Sequence, residues 1–163
     1  MINLTSPFTS EKLENLNLGD KLNISGEIYT ARDKALPTLV ESIKKGNPLV
    51  NVQNIAIMHT GVSDAGIGPT TSNKKEIESN IGFLSSKGVK IHIGKGSLSN
   101  ETIEELNKNK SIFVITPPVT ALLSNCILKK ECVALPEYGM EAIYKLKVEN
   151  IPGIVASIHG KSI

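Results

Sequence analysis

Hydrophobic residues recur along the chain with two alternating periods, one typical of helices and one typical of strands. Leu36, Leu39, Val40 and Ile43 fall at i, i+3, i+4 and i+7, which places them on one face of a helix. Residues 89–93 instead alternate apolar and polar side chains, as a half-buried strand does. The same patterns predict helices at 9–13, 74–86, 99–106 and 119–125, a strand or hairpin at 20–30 broken near Gly26, strands at 54–59, 111–116, 132–135, 143–149 and 153–158, and a loop at 61–73.

The order of these elements predicts the fold class. Strands that alternate with helices are typical of an α/β protein with a mixed sheet on which helices pack. A chain of 163 residues has the usual size of one compact unit, so we expect a single domain over residues 1–163.

Charge and hydropathy exclude several kinds of partner. With 18 basic and 16 acidic residues, the formal charge of +2 is too small to indicate nucleic-acid binding. We see no segment that could span a membrane, and residues 1–7 lack the pattern of a secretion signal, so we expect a cytoplasmic protein. Cys126 and Cys132 are too few for a disulfide scaffold or an iron–sulfur cluster, and their apolar neighbours favour buried thiols.

Arginine is scarce in this chain: there are seventeen lysines but only Arg32 carries a guanidinium. A guanidinium presents a planar fork of donors that can bind a carboxylate or phosphate at two points, which an ammonium cannot do. Position 32 alone is also compatible with an ordinary surface arginine, or with one paired to Asp33. Its position directly after the strand at 20–30 makes it a candidate binding residue.

Two glycine-rich turns add further candidates. Residues 66–72 bring glycines and the consecutive hydroxyls of Thr70 and Thr71 to the start of a predicted helix, where an anion is the natural ligand. A plain capped turn explains this segment equally well, and its spacing is not that of a phosphate-binding loop. Lys95 stands between two glycines after the strand at 89–93, where it is either a solvated loop lysine or a ligand-binding residue.

The three candidates gain weight together. Arg32, Thr70 and Lys95 each follow a predicted strand, so we expect them to gather along one edge of the sheet. Two cations and a hydroxyl suit a small molecule with more than one carboxylate. From the residues alone, the prediction stops at an anion site.

Five motifs in a fixed order carry a family resemblance. They are Gly-x-Ile-x-Thr-x-Arg-Asp at 26–33, His-x-Gly at 59–61, Gly-Pro-Thr-Thr-Ser at 68–72, Gly-Lys-Gly at 94–96 and Gly-Met-Glu-Ala-Ile-Tyr-Lys at 139–145. In this order they resemble the β subunit of class I fumarases and L-tartrate dehydratases, or the corresponding C-terminal domain of single-chain members. The match runs from about residue 19 to 163.

The resemblance implies a fold, a reaction and a partner. The fold is a swivelling β/β/α domain, and the reaction adds or removes water on four-carbon hydroxy-dicarboxylates. A 4Fe–4S cluster belongs to the α subunit, where three cysteines leave one iron open, so this chain would bind no cofactor itself. A hetero-oligomer with that α subunit follows from the resemblance.

The resemblance also assigns roles to the candidates. Arg32 would clamp one substrate carboxylate and Lys95 a second, and Thr70 would stand where the family places the hydroxyl that moves the proton. A free threonine hydroxyl is a poor base, so that role needs neighbouring cations and a dry pocket to lower its pKa. All three are therefore expected to be catalytic, with Thr71 also binding substrate.

Other positions support the site or depart from the family. Lys74 stands where the family has an arginine that would bind substrate, and it cannot bind a carboxylate bidentately. Leu36 replaces a histidine and fits the apolar helix face. We expect Asp33 to orient Arg32, and His59 to have a supporting rather than catalytic role. His92 lies on the polar face of its strand and is expected to be exposed.

Three functional hypotheses follow. The first is the β subunit of an iron–sulfur hydro-lyase, active only with a cluster-bearing α subunit. The second, motivated by Leu36 and Lys74, is a non-catalytic anion-binding or regulatory module that kept the fold. The third, a nucleotide-binding domain using the turn at Gly68, is poorly supported because the phosphate-loop spacing is missing.

Overall fold

The computed structural model describes residues 1–68, 70, 75–117 and 119–163. Most helices and strands form near the positions that the apolar patterns predict. The Thr9 side chain, however, makes no capping hydrogen bond to the first helix, and the strand predicted at 132–135 is longer, runs over Ile127–Ala134 and is mostly exposed. The helices are α1 (Ser10–Leu13), α2 (Ala35–Lys44), α3 (Lys75–Ser86), α4 (Asn100–Lys108) and α5 (Thr120–Asn125). The strands are β1 (Ile2–Thr5), β2 (Lys21–Thr30), β3 (Ala56–Met58), β4 (Val62–Ser63), β5 (Gly66–Ile67), β6 (Ile91–Gly94), β7 (Ile112–Ile115), β8 (Ile127–Ala134), β9 (Ile143–Ile158) and β10 (Lys161–Ser162).

The main sheet is mixed, and its pairings close on themselves. Strands β1, β2, β3, β6 and β7 are parallel neighbours in that order. Strand β9 runs antiparallel to β7 at one end and to β2 along most of its length. The pairings β2–β3–β6–β7–β9–β2 therefore form a ring, while β8 and β10 add to β9 from outside it. The predicted α/β class with a mixed sheet and packed helices is confirmed.

Strand β9 is one continuous element where the sequence predicts two. Gly153 lies opposite Leu22 of β2, and a Cβ atom at Gly153 would lie within 2.5 Å of Val114 Cγ1 on β7. Only glycine permits so close an approach between β9 and the adjacent β7 side chain. One strand can therefore pair with both β2 and β7.

Two apolar clusters lie on opposite faces of the sheet. Alternating residues of the strands supply them: Met58 and Ile93 belong to the cluster shared by all the ring strands, whereas Ile57 belongs to the cluster beneath the helices. The face predicted for α2 is buried as expected through Leu36 and Leu39. The parallel strands are thus covered on both faces.

Three sequence expectations are wrong in local detail. The predicted loop at 61–73 contains the β4–β5 hairpin. His92 is fully buried rather than exposed, because α3 packs over its face of β6 and the Ser85 hydroxyl lies 2.7 Å from His92 Nε2. Cys132 is exposed on β8, and Cys126 is only partly buried. Among the described residues, no helix is long and apolar enough to cross a membrane.

Candidate functional site

The candidate residues lie where the parallel strands end. Thr30 of β2 is opposite Met58 of β3, Met58 is opposite Ile93 of β6, and Gly94 is opposite Ile115 of β7. Neighbouring strands are about 4.8 Å apart, so the ends of β2 and β6 are separated by about 10 Å across β3. Arg32 follows β2 and Lys95 follows β6, so the structure brings both cations to the same edge of the sheet.

Arg32 is held by two other segments. Its Nε lies 3.5 Å from Oε1 of Glu141, and the side chains of the two residues are 26% and 29% exposed. The same Glu141 oxygen accepts a hydrogen bond from the Lys34 backbone N–H at 3.3 Å. Gly61 packs against the guanidinium, since a Cβ there would lie 3.4 Å from Arg32 Cζ and 3.1 Å from the Met140 carbonyl oxygen. The arginine is therefore half-buried and anchored, with a side open to ligand.

Thr70 follows the β4–β5 hairpin, which is tied back to the residues after β3. The Gly68 N–H donates to the Gly61 carbonyl at 3.0 Å, and the Thr60 hydroxyl donates to the Gly68 carbonyl at 2.7 Å. Thr70 lies two residues beyond Gly68, within about 7 Å of it along the chain. It is buried, at 4% exposure. A hairpin separates Thr70 from β3, so it does not follow that strand directly as predicted.

Lys95 differs from the other two because it is exposed. Gly94 before it is buried, and a Cβ at Gly94 would lie 3.0 Å from His59 Nδ1. The glycine therefore permits the imidazole to pack against the end of β6. An exposed ammonium on a turn can bind an anion that arrives from outside the chain.

His59 lies behind the site in a dry environment. Burial lowers its pKa from 6.5 to about 4, and the Asp33 charge opposes that shift. The His59 and His92 ring centroids are 6.2 Å apart, and burial lowers the pKa of His92 well below its usual value, with His59 acting in the same direction. His59 is therefore neutral at neutral pH and lies behind the site as an uncharged wall. The roles of His59 and Asp33 stay predictions.

An open cleft lies next to the segments that hold the arginine. It has a volume of about 430 Å³, and its walls include Val62, Met140, Tyr144 and Lys130. Val62 follows Gly61, and the Met140 carbonyl faces Gly61, so two residues of the cleft wall are next to the glycine that packs against Arg32. Arg32 itself does not line the cleft, and the wall also includes the carboxylate of Asp64.

Sequence reasoning missed two residues of this site. Glu141, the acid that contacts Arg32, lies in the motif at 139–145, but no role was predicted for it. Thr60, whose hydroxyl ties the hairpin to the end of β3, follows the histidine of another motif. The predicted substrate-binding residues Lys74 and Thr71 lie outside the described residues.

The described residues offer little to a metal. They contain no group of three or more His, Cys, Asp or Glu side chains that could hold an ion. Burial, with Glu149 adding to it, raises the pKa of the Cys126 thiol and so favours its protonated form, whereas metals bind the thiolate. The two cysteines of the sequence cannot supply three cluster ligands. These residues do not fit an iron–sulfur cluster.

Comparison with known proteins assigns the family. The model of the family described as Fumarase C-terminus matches residues 1–163. The chain belongs to this family. Within the Fumarase C-terminus family it is 31% identical to the L(+)-tartrate dehydratase subunit beta of Escherichia coli K12, over 98% of this chain and 85% of the relative. It is 30% identical to the putative L(+)-tartrate dehydratase subunit beta of Methanocaldococcus jannaschii, over 95% and 87%.

Longer relatives match over only part of their length. The chain is 28% identical to fumarate hydratase 1 of Leishmania major, over 95% of this chain but 30% of the relative. It therefore spans less than a third of that fumarate hydratase and most of the tartrate dehydratase β subunits. In the Fumarase C-terminus family, the same unit is found as a separate chain and as part of a longer one.

Proposed function

We propose that this chain is the β subunit of a hydro-lyase that adds water to, or removes it from, a small hydroxy-dicarboxylate. The observation that supports this most strongly is that Arg32 and Lys95 follow β2 and β6, whose ends share one edge of the sheet. Thr70 is buried and follows the hairpin whose base, at Gly61, packs against Arg32. The names of the relatives supply the reaction class. In this proposal residues 1–163 act as one domain.

We assign the binding of substrate to the two cations. The terminal nitrogens of Arg32 bind one carboxylate as a fork, while the Nε edge stays with Glu141. Lys95, on a strand end that lies about 10 Å from the end of β2, binds the second carboxylate as a point charge. Lys74 and Thr71 are proposed to add contacts from the segment that follows Thr70.

We assign the proton transfer to the Thr70 hydroxyl. A threonine hydroxyl becomes a useful base only where its anion is stabilised, and the two cations on this edge provide positive charge. Burial excludes water from Thr70 and strengthens these charges' effect. Neutral His59 supports the wall behind the site, and Asp33 orients Arg32.

The remaining chemistry is proposed to come from a partner. The residues of this chain do not fit a cluster, so we propose that an α subunit carries a 4Fe–4S cluster and docks against this open edge to form a hetero-oligomer. When bound there, the cluster would supply Lewis-acid help to the leaving hydroxyl group. The residues of this chain bind the substrate, orient it and remove its proton.

Reconstitution tests the proposal. The chain is coexpressed with an α-type protein under anaerobic conditions, and hydration of fumarate and dehydration of malate and tartrate are measured. Replacing Arg32 by Lys removes the fork, and we expect kcat/KM to fall about 10- to 100-fold. Replacing Thr70 by Val should lower kcat about 10²- to 10⁴-fold with little change in KM, and Thr70→Ser should restore activity. Lys147→Met, an exposed site on β9, is the control.

A non-catalytic anion-binding module is the second candidate. The observation that favours it is that Leu36, on the buried face of α2, stands at a position where the resemblance expects a histidine. Calorimetric titration of the chain with dicarboxylates distinguishes this module from the hydro-lyase subunit. Tight binding by the chain without a partner favours the module, whereas weak binding fits half of a shared site. No complex and no activity on any diacid would refute the hydro-lyase proposal.

A further inference from the structure

One carboxylate in this site has no place in the proposed substrate chemistry. Glu141 ends the 3₁₀ segment Pro136–Glu141, one residue short of β9, and its Oε1 contacts Arg32 Nε and the Lys34 N–H. We propose that Glu141 is a positioning residue, which holds the Arg32 guanidinium with its outer nitrogens directed at the incoming carboxylate. The inference rests on the proposed function and identifies Glu141 as the residue that orders Arg32 before substrate binds.

The sheet register explains why these two side chains meet. Thr30 of β2 lies opposite Tyr144 of antiparallel β9. Arg32 is two residues past Thr30, and Glu141 is three residues before Tyr144, so both leave the same end of one strand pair. The β2–β9 ladder therefore fixes the distance between their backbones, and a long side chain on each closes the gap.

The carboxylate is itself held in place. It accepts the Lys34 N–H from the loop that carries Arg32. On its own side the chain turns through Gly139, at φ +60°, and the Ala142 N–H donates to the Gly139 carbonyl. Ala142 is buried, which anchors the segment. Because Glu141 is itself fixed, it can restrain the Arg32 side chain instead of moving with it.

Restraint matters because arginine is flexible. A free arginine side chain samples many rotamers, and that freedom is lost when a ligand fixes it. Glu141 on one side and Gly61 against the guanidinium remove much of that freedom before substrate arrives. Since the pair uses Nε, the fork formed by the two terminal nitrogens stays available. A carboxylate bound there meets an arginine that is already ordered.

The opposite role makes the opposite prediction. If Glu141 were an internal competitor that occupies the arginine, removing its charge would free Arg32 and tighten substrate binding. The anchoring hydrogen bond from Lys34 and the use of Nε favour positioning. Kinetics distinguishes the two by the sign of the change in KM.

The first experiment needs neither substrate nor partner. Because Arg32 is the only arginine, ¹⁵N-arginine labelling of the full chain gives a single Nε–Hε signal. We expect Glu141→Gln to shift this signal and to speed its exchange with water, and Glu27→Gln to leave it unchanged. Glu27 is the matched control, since it pairs with Lys145 through an exposed ion pair. An identical signal in wild type and Glu141→Gln would overturn the inference whatever the enzyme does.

The second experiment uses the reconstituted complex. We expect Glu141→Gln to raise KM for the dicarboxylate about three- to tenfold with kcat within twofold, and Glu141→Asp to recover part of the loss. In an Arg32→Met background, which keeps a long side chain but offers no donor to Glu141, Glu141→Gln should have no further effect on KM. Equal losses in both backgrounds, or a lower KM, overturn positioning. An inactive wild-type complex refutes the proposed function and leaves the NMR result to decide the contact.

Discussion

Two buried histidines predict how the stability of this protein depends on pH. His59 has a pKa of about 4 in the folded chain because burial disfavours its charged form, against about 6.5 when the chain is unfolded. Below pH 6.5 the unfolded state binds a proton that the folded state does not. Stability is therefore complete above pH 6.5 and falls as the pH decreases towards 4.

The size of the effect follows from the two pKa values. A pH change of one unit within this window costs about 1.36 kcal/mol for one group, so lowering the pH from 7.5 to 5.0 costs about 2 kcal/mol through His59. By pH 4 the cost rises to about 3 kcal/mol. His92, whose pKa also lies well below its usual value, adds to the loss in the same direction. The Asp33 charge raises the pKa of His59 and so opposes this loss of stability; its effect is already included in the pKa of about 4.

Urea denaturation at several pH values measures this effect. The free energy of unfolding of wild type is compared with that of His59→Asn between pH 7.5 and 5.0. We expect the wild type to lose about 2 kcal/mol more than the variant over this range, although the variant starts less stable. Imidazole carbon shifts should show His59 unprotonated at pH 5.0. Parallel stability profiles, or a protonated His59 at pH 5.0, would refute the reasoning.

Three substitutions probe close packing and the hairpin. Gly61→Ala places a methyl group against Arg32 and the Met140 carbonyl, and we expect kcat/KM of the complex to fall about 5- to 50-fold and the melting temperature to fall by a few degrees. Gly153→Ala drives a methyl group into Val114 and should destabilise the chain by about 1–3 kcal/mol in urea titrations. Thr60→Val removes the hydroxyl that ties down the hairpin, which should cost about 1–3 kcal/mol and speed amide exchange after β5.

Each of these expectations has a specific counter-result. A Gly61→Ala complex with wild-type kinetics would mean that the guanidinium moves freely away from residue 61. An equally stable Gly153→Ala chain would mean that β7 and β9 can separate without cost. Unchanged exchange in Thr60→Val would leave the backbone bond between Gly68 and Gly61 as the sufficient anchor.

Local patterns were enough to predict most elements. The 3.6-residue period at Leu36 and Leu39 predicted α2, and the Ser99 side chain caps α4 by accepting from the Thr102 N–H. The predicted break near Gly26 is a bulge inside one strand, where Gly26 has φ +99°. These features depend on neighbouring residues, so a sequence window contains their causes.

Features that depend on distant segments were missed. His92 alternates with apolar neighbours as a surface residue would, yet α3 covers it, and no local pattern reports which helix packs on a strand. Glu141 meets Arg32 only because β9 lies antiparallel to β2. The common edge for Arg32 and Lys95 was predictable, since parallel strands end together. The hairpin before Thr70 was hidden by the turn-like composition of residues 61–73.

The order in which the ring strands leave the ribosome has a consequence for biosynthesis. Strands β2 and β7 both pair with β9, which follows them by more than a hundred and by about thirty residues respectively. Until residues 143–158 are synthesised, each has an unsatisfied hydrogen-bonding edge. Such nonlocal closure slows folding and exposes nascent chains to mispairing. We therefore expect ribosome-stalled chains that lack β9 to remain protease-sensitive and to recruit chaperones.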